Sequence, residues 1–211
     1  MEEEFDRSII YSQNITEFIT VAGEYCSFVE NTNRFDKKDF LDKTRKLLPL
    51  LYLKASLLPK LESIFDDENE KFVTEEEWEF IHNSVQKKLG FHDDYLEVFD
   101  PLTHEQVEQS TASISDNLAD IYQDLKNFIT LYNIGTEEIM NDALWECQLN
   151  FEEFWGFKLL NAFKAIHYVY FGDNDLNDDE LNIKDDNLDD DVDTSNWIIS
   201  KRQADYREEE E

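Results

Sequence analysis

The stretch that decides the fold is residues 41–61, LDKTRKLLPLLYLKASLLPKL, the most hydrophobic segment of an otherwise acidic chain. Its apolar side chains cover most of the circumference of a helix rather than one stripe, which predicts a central helix buried by its neighbours. A membrane-spanning helix needs about 20 mainly apolar residues, and the charged side chains of Lys43, Arg45, Lys46 and Lys54 interrupt this run. We therefore predict a core helix rather than a membrane span.

Two prolines, Pro49 and Pro59, lie within this segment. A proline inside a helix removes one amide donor and crowds the preceding turn, which costs about 3 kcal/mol. We expect one helix bent near Pro49, because no turn residue lies between Lys43 and Leu48. The alternative is a second helix that begins at Pro49, where a missing amide is harmless in the first turn.

Four further segments show the three-four spacing of apolar residues that indicates a helix with one buried side. They cover residues 5–30, 74–89, 103–131 and 136–172, and Thr74 followed by Glu77 is a capping box. Residues 91–101 have no sustained period, so we expect a packed loop or a short helix there. No stretch alternates with the two-residue period of a strand. The sequence predicts an all-α fold, a bundle of about five long antiparallel helices in one domain, residues 1–172.

The remainder, residues 173–211, is predicted to be an acidic flexible tail. Residues 173–193 contain eleven acids and one lysine but no aromatic side chain, a composition that buries too little surface to order itself. Trp197, Ile198 and Ile199 follow, and residues 196–199 are a candidate docking segment, on the bundle or on a partner. The alternative is a tail without a role.

Charge restricts the class of partner. The formal net charge of −31 repels the phosphates of nucleic acids and anionic lipid head groups, so we expect neither a nucleic-acid nor a membrane partner. No apolar segment typical of a secretory signal follows the acidic start, which predicts a cytoplasmic location. Cys26 and Cys147 fall on apolar helical faces, where a free cysteine is typically a small buried hydrophobe.

Three strings carry a family resemblance: LLPLLYLKA at residues 47–55, SDNLADIYQDL at residues 115–125 and FEEFWG at residues 151–156. With the helices that contain them, they cover most of residues 5–171, and this part of the chain resembles a bacterial domain of unknown function, family 5063, of the Bacteroidetes type. The resemblance implies no particular reaction, ligand or catalytic residue. The acidic tail lies outside it.

An acidic row on one predicted helix is the candidate metal site. Asp116, Asp120 and Asp124 recur every four residues, so their carboxylates project from one side of the helix, where they repel one another. A hard cation such as Mg²⁺ would suit them, and Glu152 or Glu153 from the neighbouring antiparallel helix would complete a metal-dependent phosphohydrolase. The alternative is a solvated face or pairing with lysines, because a chain with 50 acids produces such spacings by chance.

Other site patterns are incomplete. A di-iron bundle needs two Glu-x-x-His motifs, and this chain has Glu79-x-x-His82 alone. Residues from 173 onward begin like a calcium loop but have Asp178 and Lys184 where glycine and a bidentate glutamate are required. His167 is typical of a structural histidine. The sequence predicts no catalytic residue and no cofactor, with Mg²⁺ restricted to the phosphohydrolase alternative.

The basic residues are concentrated in one segment. Eight of the fifteen lysines and arginines before residue 173 lie in residues 34–60, among three aspartates, which gives a local surplus of five positive charges. Lys43, Arg45, Lys46 and Lys54 form the candidate patch for a partner, an anionic ligand or the acidic tail. The alternative is that they pair with acids of neighbouring helices.

The leading interpretation is a cytoplasmic, non-catalytic helical bundle that binds another protein. No reaction centre is assembled in the sequence, and an acidic surface suits a basic partner. The alternatives are the metal-dependent phosphohydrolase and a nucleic-acid mimic whose acids occupy a basic groove on a DNA-binding protein. The oligomeric state is not readable from the sequence.

Overall fold

The computed structural model describes residues 9–65, 69–98, 109–172 and 176. Its α-helices are α1 (Gln13–Glu30), α2 (Lys37–Ser56), α3 (Glu75–Leu89), α4 (Ile114–Ile134), α5 (Glu137–Asn150) and α6 (Gly156–Phe171). A π-helix, Phe151–Trp155, joins α5 to α6, and a hairpin of β1 (Asp94–Val98) and β2 (Gln109–Ser113) precedes α4. The predicted all-α bundle is confirmed, with the small hairpin as an addition.

Helix α4 is the centre of the bundle and packs against α1, α3, α5 and α6. Its apolar row of Ile114, Leu118, Ile121 and Leu125 is completely buried. A buried ion pair also fixes α1 to it, since Lys126 Nζ lies 2.6 Å from Glu30 Oε1. The middle of the bundle is therefore built around α4.

Helix α2 is not buried on all sides, so that expectation was wrong. It packs mainly against α1 and α6 and buries Phe40, Leu48 and Leu51, but Leu50 and Leu53 are exposed. A helix with apolar side chains all round can be buried on every side. The sequence does not show, however, how many neighbouring helices pack against it. The result is apolar surface in contact with water.

The single helix through Pro49 is confirmed. Helix α2 runs from Lys37 to Ser56 with Pro49 inside it, and Pro59 lies beyond its end. The Asp36 side chain caps its first turn by accepting a hydrogen bond from the Asp39 amide at 2.7 Å. The Thr74–Glu77 capping box of α3 is also present.

A packed loop or a short helix was expected over residues 91–101. The structure has a short 3-10 helix, Gly90–His92, followed by strand β1, which was not expected, and residues 99–101 lie outside the described residues. Strands β1 and β2 are antiparallel, and α4 begins at Ile114 rather than near residue 103. Asp93 fixes this start, because its carboxylate accepts from the Ser115 amide at 2.8 Å and from the Ser115 hydroxyl at 2.5 Å. The predicted start of this helix, near residue 103, lies outside the described residues.

The predicted last helix, residues 136–172, is helical but contains a π-helix at Phe151–Trp155. Trp155 is fully buried and donates its indole N–H to the Cys147 carbonyl at 3.1 Å. The next residue must be glycine, because a Cβ at Gly156 would lie 2.3 Å from the Phe151 carbonyl oxygen. The string FEEFWG therefore corresponds to this π-helix.

The long connection from α2 to α3 is held by buried polar side chains. Asp142 on α5 accepts from the amides of Ile64 and Phe65, both at 2.8 Å. Asn127 on α4 accepts from the amides of Phe72 and Val73 at 2.7 and 2.9 Å. These bonds position a connection whose described residues, 57–65 and 69–74, form no helix or strand.

The described helices all lie within the predicted domain of residues 1–172. The acidic tail, residues 173–211, and its docking segment at 196–199 lie outside the described residues except for Leu176, so both stay predictions. Cys26 and Cys147 are buried free thiols, and burial raises the pKa of Cys147 well above its usual value. Among the described helices, none combines the length and apolar character that a bilayer span requires.

Candidate protein-binding surface

The three aspartates of the candidate metal site lie on α4, but each contacts a different set of side chains. Asp116 lies 3.2 Å from His82 Nε2. Asp120 accepts from the Trp78 indole N–H at 3.0 Å and pairs with Lys158 Nζ at 3.1 Å. The row is thus used to contact α3 and α6 rather than to converge on one point.

Asp124, the third aspartate of the row, contacts side chains of α5. Its Oδ1 accepts a hydrogen bond from the Asn150 amide group at 2.9 Å. Burial raises its pKa to about 6, and the charge of Glu146 adds to this rise while Asn150 and Lys71 oppose it. Glu146 itself pairs with Lys71 at 2.5 Å. Asp124 therefore lies at a packed contact between α4 and α5.

The remaining acids of the phosphohydrolase alternative lie apart from this contact, since Glu152 and Glu153 are exposed on the π-helix. In the part of the chain that the structure describes, no three or more His, Cys, Asp or Glu side chains are grouped so that they could hold a metal ion. The Mg²⁺ site at Asp116, Asp120 and Asp124 stays a prediction. His167 is exposed and contacts the ring of Phe171.

Each base of the candidate anion patch has an acid partner within the chain. Lys43 pairs with Asp39, and Arg45 and Lys46 both pair with Asp42 at 2.5 Å. Lys54 pairs with Glu17 of α1, also at 2.5 Å. The patch charges thus join neighbouring helices or successive turns of α2.

Arg45 also connects α2 to α6, because its guanidinium lies 4.4 Å from the ring centre of Tyr170. Hydrogen bonds from Lys46 and, to a smaller extent, from Arg45 lower the pKa of the Asp42 carboxyl to about 2. Such a packed guanidinium has little freedom to bind a ligand.

An open groove separates α1 from α2 next to two of the patch lysines. The volume of this groove is about 520 Å³. We call it the α1–α2 groove; its lining residues are Glu24, Ser27, Phe28, Asn31, Arg34, Phe35, Lys43, Lys46, Leu47 and Leu50. Its floor is apolar and its edges carry three positive charges and one negative charge.

Helices α2 and α6 both expose large apolar side chains to solvent. On α6, Phe157, Leu160, Tyr168 and Phe171 lie on one side of the helix, opposite the buried Leu159, Ala162 and Ile166, and the exposed Lys164 lies on the same side between Leu160 and Tyr168. On α2, Leu53 is exposed, and so is Leu57, which follows the last residue of the helix. We call these residues the outer face: Leu53, Leu57, Phe157, Leu160, Tyr168 and Phe171.

The two halves of the outer face lie on adjacent helices. Helix α2 packs against α6, and the rings of Tyr52 and Phe151 meet at 5.1 Å where α2 approaches the π-helix. The side chains of the outer face are between 44% and 68% exposed. No Asp or Glu occurs from residue 154 to residue 172, so the α6 half of this face is free of acids from its own helix.

The sequence predicted that Leu53 and Leu57 are buried as part of the central helix, and it did not indicate the outer face. Apolar spacing indicates which side chains share a side of a helix but not whether a neighbour covers them. The acid-free run at 154–172 was the available signal, because an acidic chain normally places carboxylates on its solvent side.

Comparison with known proteins identifies one family. A family model described as a domain of unknown function (DUF5063) matches residues 9–172. Among solved structures, the chain is similar to protein BF1032 from Bacteroides fragilis, with 43% sequence identity, a TM-score of 0.71, and coverage of 79% of this chain and 98% of that chain. The search of curated proteins finds no match.

Proposed function

The chain belongs to the family described as a domain of unknown function (DUF5063), and we propose that it acts without catalysis, by binding another protein through the outer face. The family description names no ligand or reaction. The proposal therefore rests on the surface of this molecule.

The observation that supports the proposal is the exposure of the outer face. Soluble proteins rarely expose contiguous apolar patches of large side chains unless the patch contacts a partner. Here Phe157 is 60% exposed and Leu53 is 52% exposed. Burying apolar surface releases about 25 cal/mol per Å², so covering both helices supplies a driving force for association.

The net charge of the whole chain favours a basic partner. The chain carries a formal net charge of −31, and such a field steers an oppositely charged protein toward encounter. The α6 row itself lacks acids, so its burial avoids the loss of carboxylate hydration. The acidic surface thus attracts the partner, and a different part of the molecule, the apolar outer face, is buried against it.

The test is affinity capture with the full chain from an extract of the organism that produces it. The variant is L53Q/F157Q, which replaces two exposed apolar side chains by glutamine, a residue that helices accept. We expect one protein to be retained by the wild-type chain and lost from the variant. Retention should persist when salt is raised to about 0.5 M, because screening weakens charge contacts more than apolar burial.

The matched control is L96Q/I134Q, which removes two exposed apolar side chains outside the outer face. It should capture the same protein as the wild-type chain, and circular dichroism should show all three proteins folded. Capture that is equal for wild type and L53Q/F157Q, or capture of no protein at moderate salt, would contradict the proposal.

A further inference from the structure

The α1–α2 groove has a chemistry that the rest of this acidic chain lacks. We propose that it binds an acidic amphipathic helix of a partner protein, with the apolar side of that helix on the groove floor and its carboxylates against the bases of the edge. This goes beyond the outer face, because the lining residues are different and the expected charge of the bound segment is opposite.

The groove floor is aromatic and aliphatic. Phe28 packs against Phe35 with ring centres 5.2 Å apart and stacks on Phe40 at the same distance. Leu47 is half-buried, and Leu50 is 42% exposed at the end of the groove. A floor of this kind accepts leucine or phenylalanine anchors spaced one helical turn apart, which is the usual mode of helix-in-groove recognition.

Three bases line the groove edge: Arg34, Lys43 and Lys46. Arg34 is exposed and forms no ion pair with any residue in the described part of the chain. The lysines are paired with acids one turn earlier on α2, Asp39 and Asp42. Exposed pairs of this type contribute only about 0.3–0.5 kcal/mol, so a carboxylate of a partner can replace the existing one.

The net charge of the chain does not prevent this contact. At physiological salt, charges are screened beyond about 8 Å, so binding depends on the charges next to the groove rather than on the total charge of the chain. Glu24, on the α1 side, is the single acid among the lining residues. It disfavours carboxylates on its own side, and we therefore expect the acids of the bound helix on the flank that faces α2.

The dimensions suit about two turns of helix. Lining residues extend from Lys43 to Leu50 on α2 and from Glu24 to Asn31 on the α1 side, which corresponds to about 10 Å at 1.5 Å per residue. Solvent reaches the groove along this length, since Glu24, Lys43, Lys46 and Leu50 are all exposed. An open groove fits a helix better than a small molecule, which normally has most of its surface enclosed.

The experiment measures binding of a labelled peptide to the full chain by fluorescence anisotropy. The probe is a helical peptide of about 15 residues with leucine every third or fourth position and glutamates along one flank. A second peptide keeps the leucines but has lysines for glutamates, and a third keeps the glutamates but has serines for leucines. We expect the first peptide to bind most tightly.

The variant R34Q/K46Q removes two edge charges, and the control K87Q/K164Q removes two exposed lysines elsewhere, so the net charge of both variants is equal. We expect R34Q/K46Q to weaken binding of the acidic peptide about tenfold, or about 1.4 kcal/mol, and the control to leave it unchanged. The variant L50Q should weaken it as well, by removing part of the apolar wall.

Three results would overturn the inference: no binding of the acidic peptide, tighter binding of the lysine peptide, or equal binding to R34Q/K46Q and wild type. Light scattering on the same samples tests a second copy as the occupant. A dimer that R34Q/K46Q converts to a monomer would assign the groove to self-association and also overturn it.

Discussion

At the scale of single residues, two glycines in helical backbone have opposite environments. Gly156 follows the π-helix, and a Cβ there would lie 2.3 Å from the Phe151 carbonyl oxygen. Gly23 lies inside α1, and nothing lies within 4 Å of the position its Cβ would take. One glycine is thus required by close backbone approach, whereas the other only lowers helix stability.

We predict that Gly156→Ala lowers the free energy of unfolding by about 2 kcal/mol or more, because the clash involves backbone that cannot move aside freely. Gly23→Ala should raise it by about 0.5–1 kcal/mol through higher helix propensity. Urea denaturation of both variants measures the two changes. Equal effects of the two substitutions would mean that the π-helix does not place Gly156 against Phe151.

Asp124 should make stability depend on pH. Burial raises its pKa from 3.8 to about 6, so between these values the folded chain holds a proton that the unfolded chain has lost. Stability is then highest below pH 4 with respect to this group and falls as the pH rises toward 6.

We predict that Asp124→Asn is more stable than wild type at pH 7 by about 1–3 kcal/mol. The amide oxygen of the new side chain can still accept the hydrogen bond from Asn150. The difference should vanish near pH 4. Denaturation curves at several pH values measure it, and Glu79→Gln, at an exposed acid, is the control whose profile should follow wild type. A stability gain that is independent of pH would contradict this account of Asp124.

At the scale of elements, sequence patterns identified the helices better than their interruptions. The start of α3 followed from the capping box at Thr74, which is a local signal. The hairpin before α4 depends on Asp93 binding Ser115, 22 residues later. The π-helix depends on the fit of Trp155 into the core. Neither contact is local, so no short pattern predicted them.

The connection between α2 and α3 offers a direct test at this scale. Asp142 is buried, and its two oxygens accept from successive amides of the connection at 2.8 Å. Asp142→Asn places an amide group where one of these acceptors was, so we expect a loss of about 3 kcal/mol.

Hydrogen exchange should become faster at the amides of Ile64 and Phe65, while α4 keeps its protection. Glu79→Gln again serves as the acid-to-amide control and should change neither quantity. If exchange at these two amides is the same in Asp142→Asn and wild type, the carboxylate does not hold the connection.

At the scale of the whole molecule, the sequence was sufficient for the fold class and insufficient for the arrangement of the helices. Recurring apolar residues predicted a bundle, because such rows must be buried somewhere. They could not show that α4 rather than α2 is central, since both helices carry enough apolar surface for that position. The same ambiguity concealed the outer face, whose leucines and phenylalanines have the spacing of core residues.

The candidate sites were also predictable only in part from the sequence. The bases of residues 34–60 were evident from composition, and Asp39 and Asp42 lie four residues before the lysines that they pair with. The pairing of Lys54 with Glu17, in contrast, depends on the packing of α2 against α1. The spacing of the α4 aspartates was also evident, whereas their separate contacts with α3, α5 and α6 were not. Charge spacing alone therefore suggested sites that the packing uses to join helices.

The central claim is that the outer face contacts another protein, and photo-crosslinking in living cells tests it most directly. We would replace Phe157 by p-benzoylphenylalanine in the full chain and, as a control, replace Ile134, which is exposed on the far end of α4. We expect one discrete crosslinked protein from position 157 and none from position 134. No crosslink from position 157, or the same product from both positions, would contradict it.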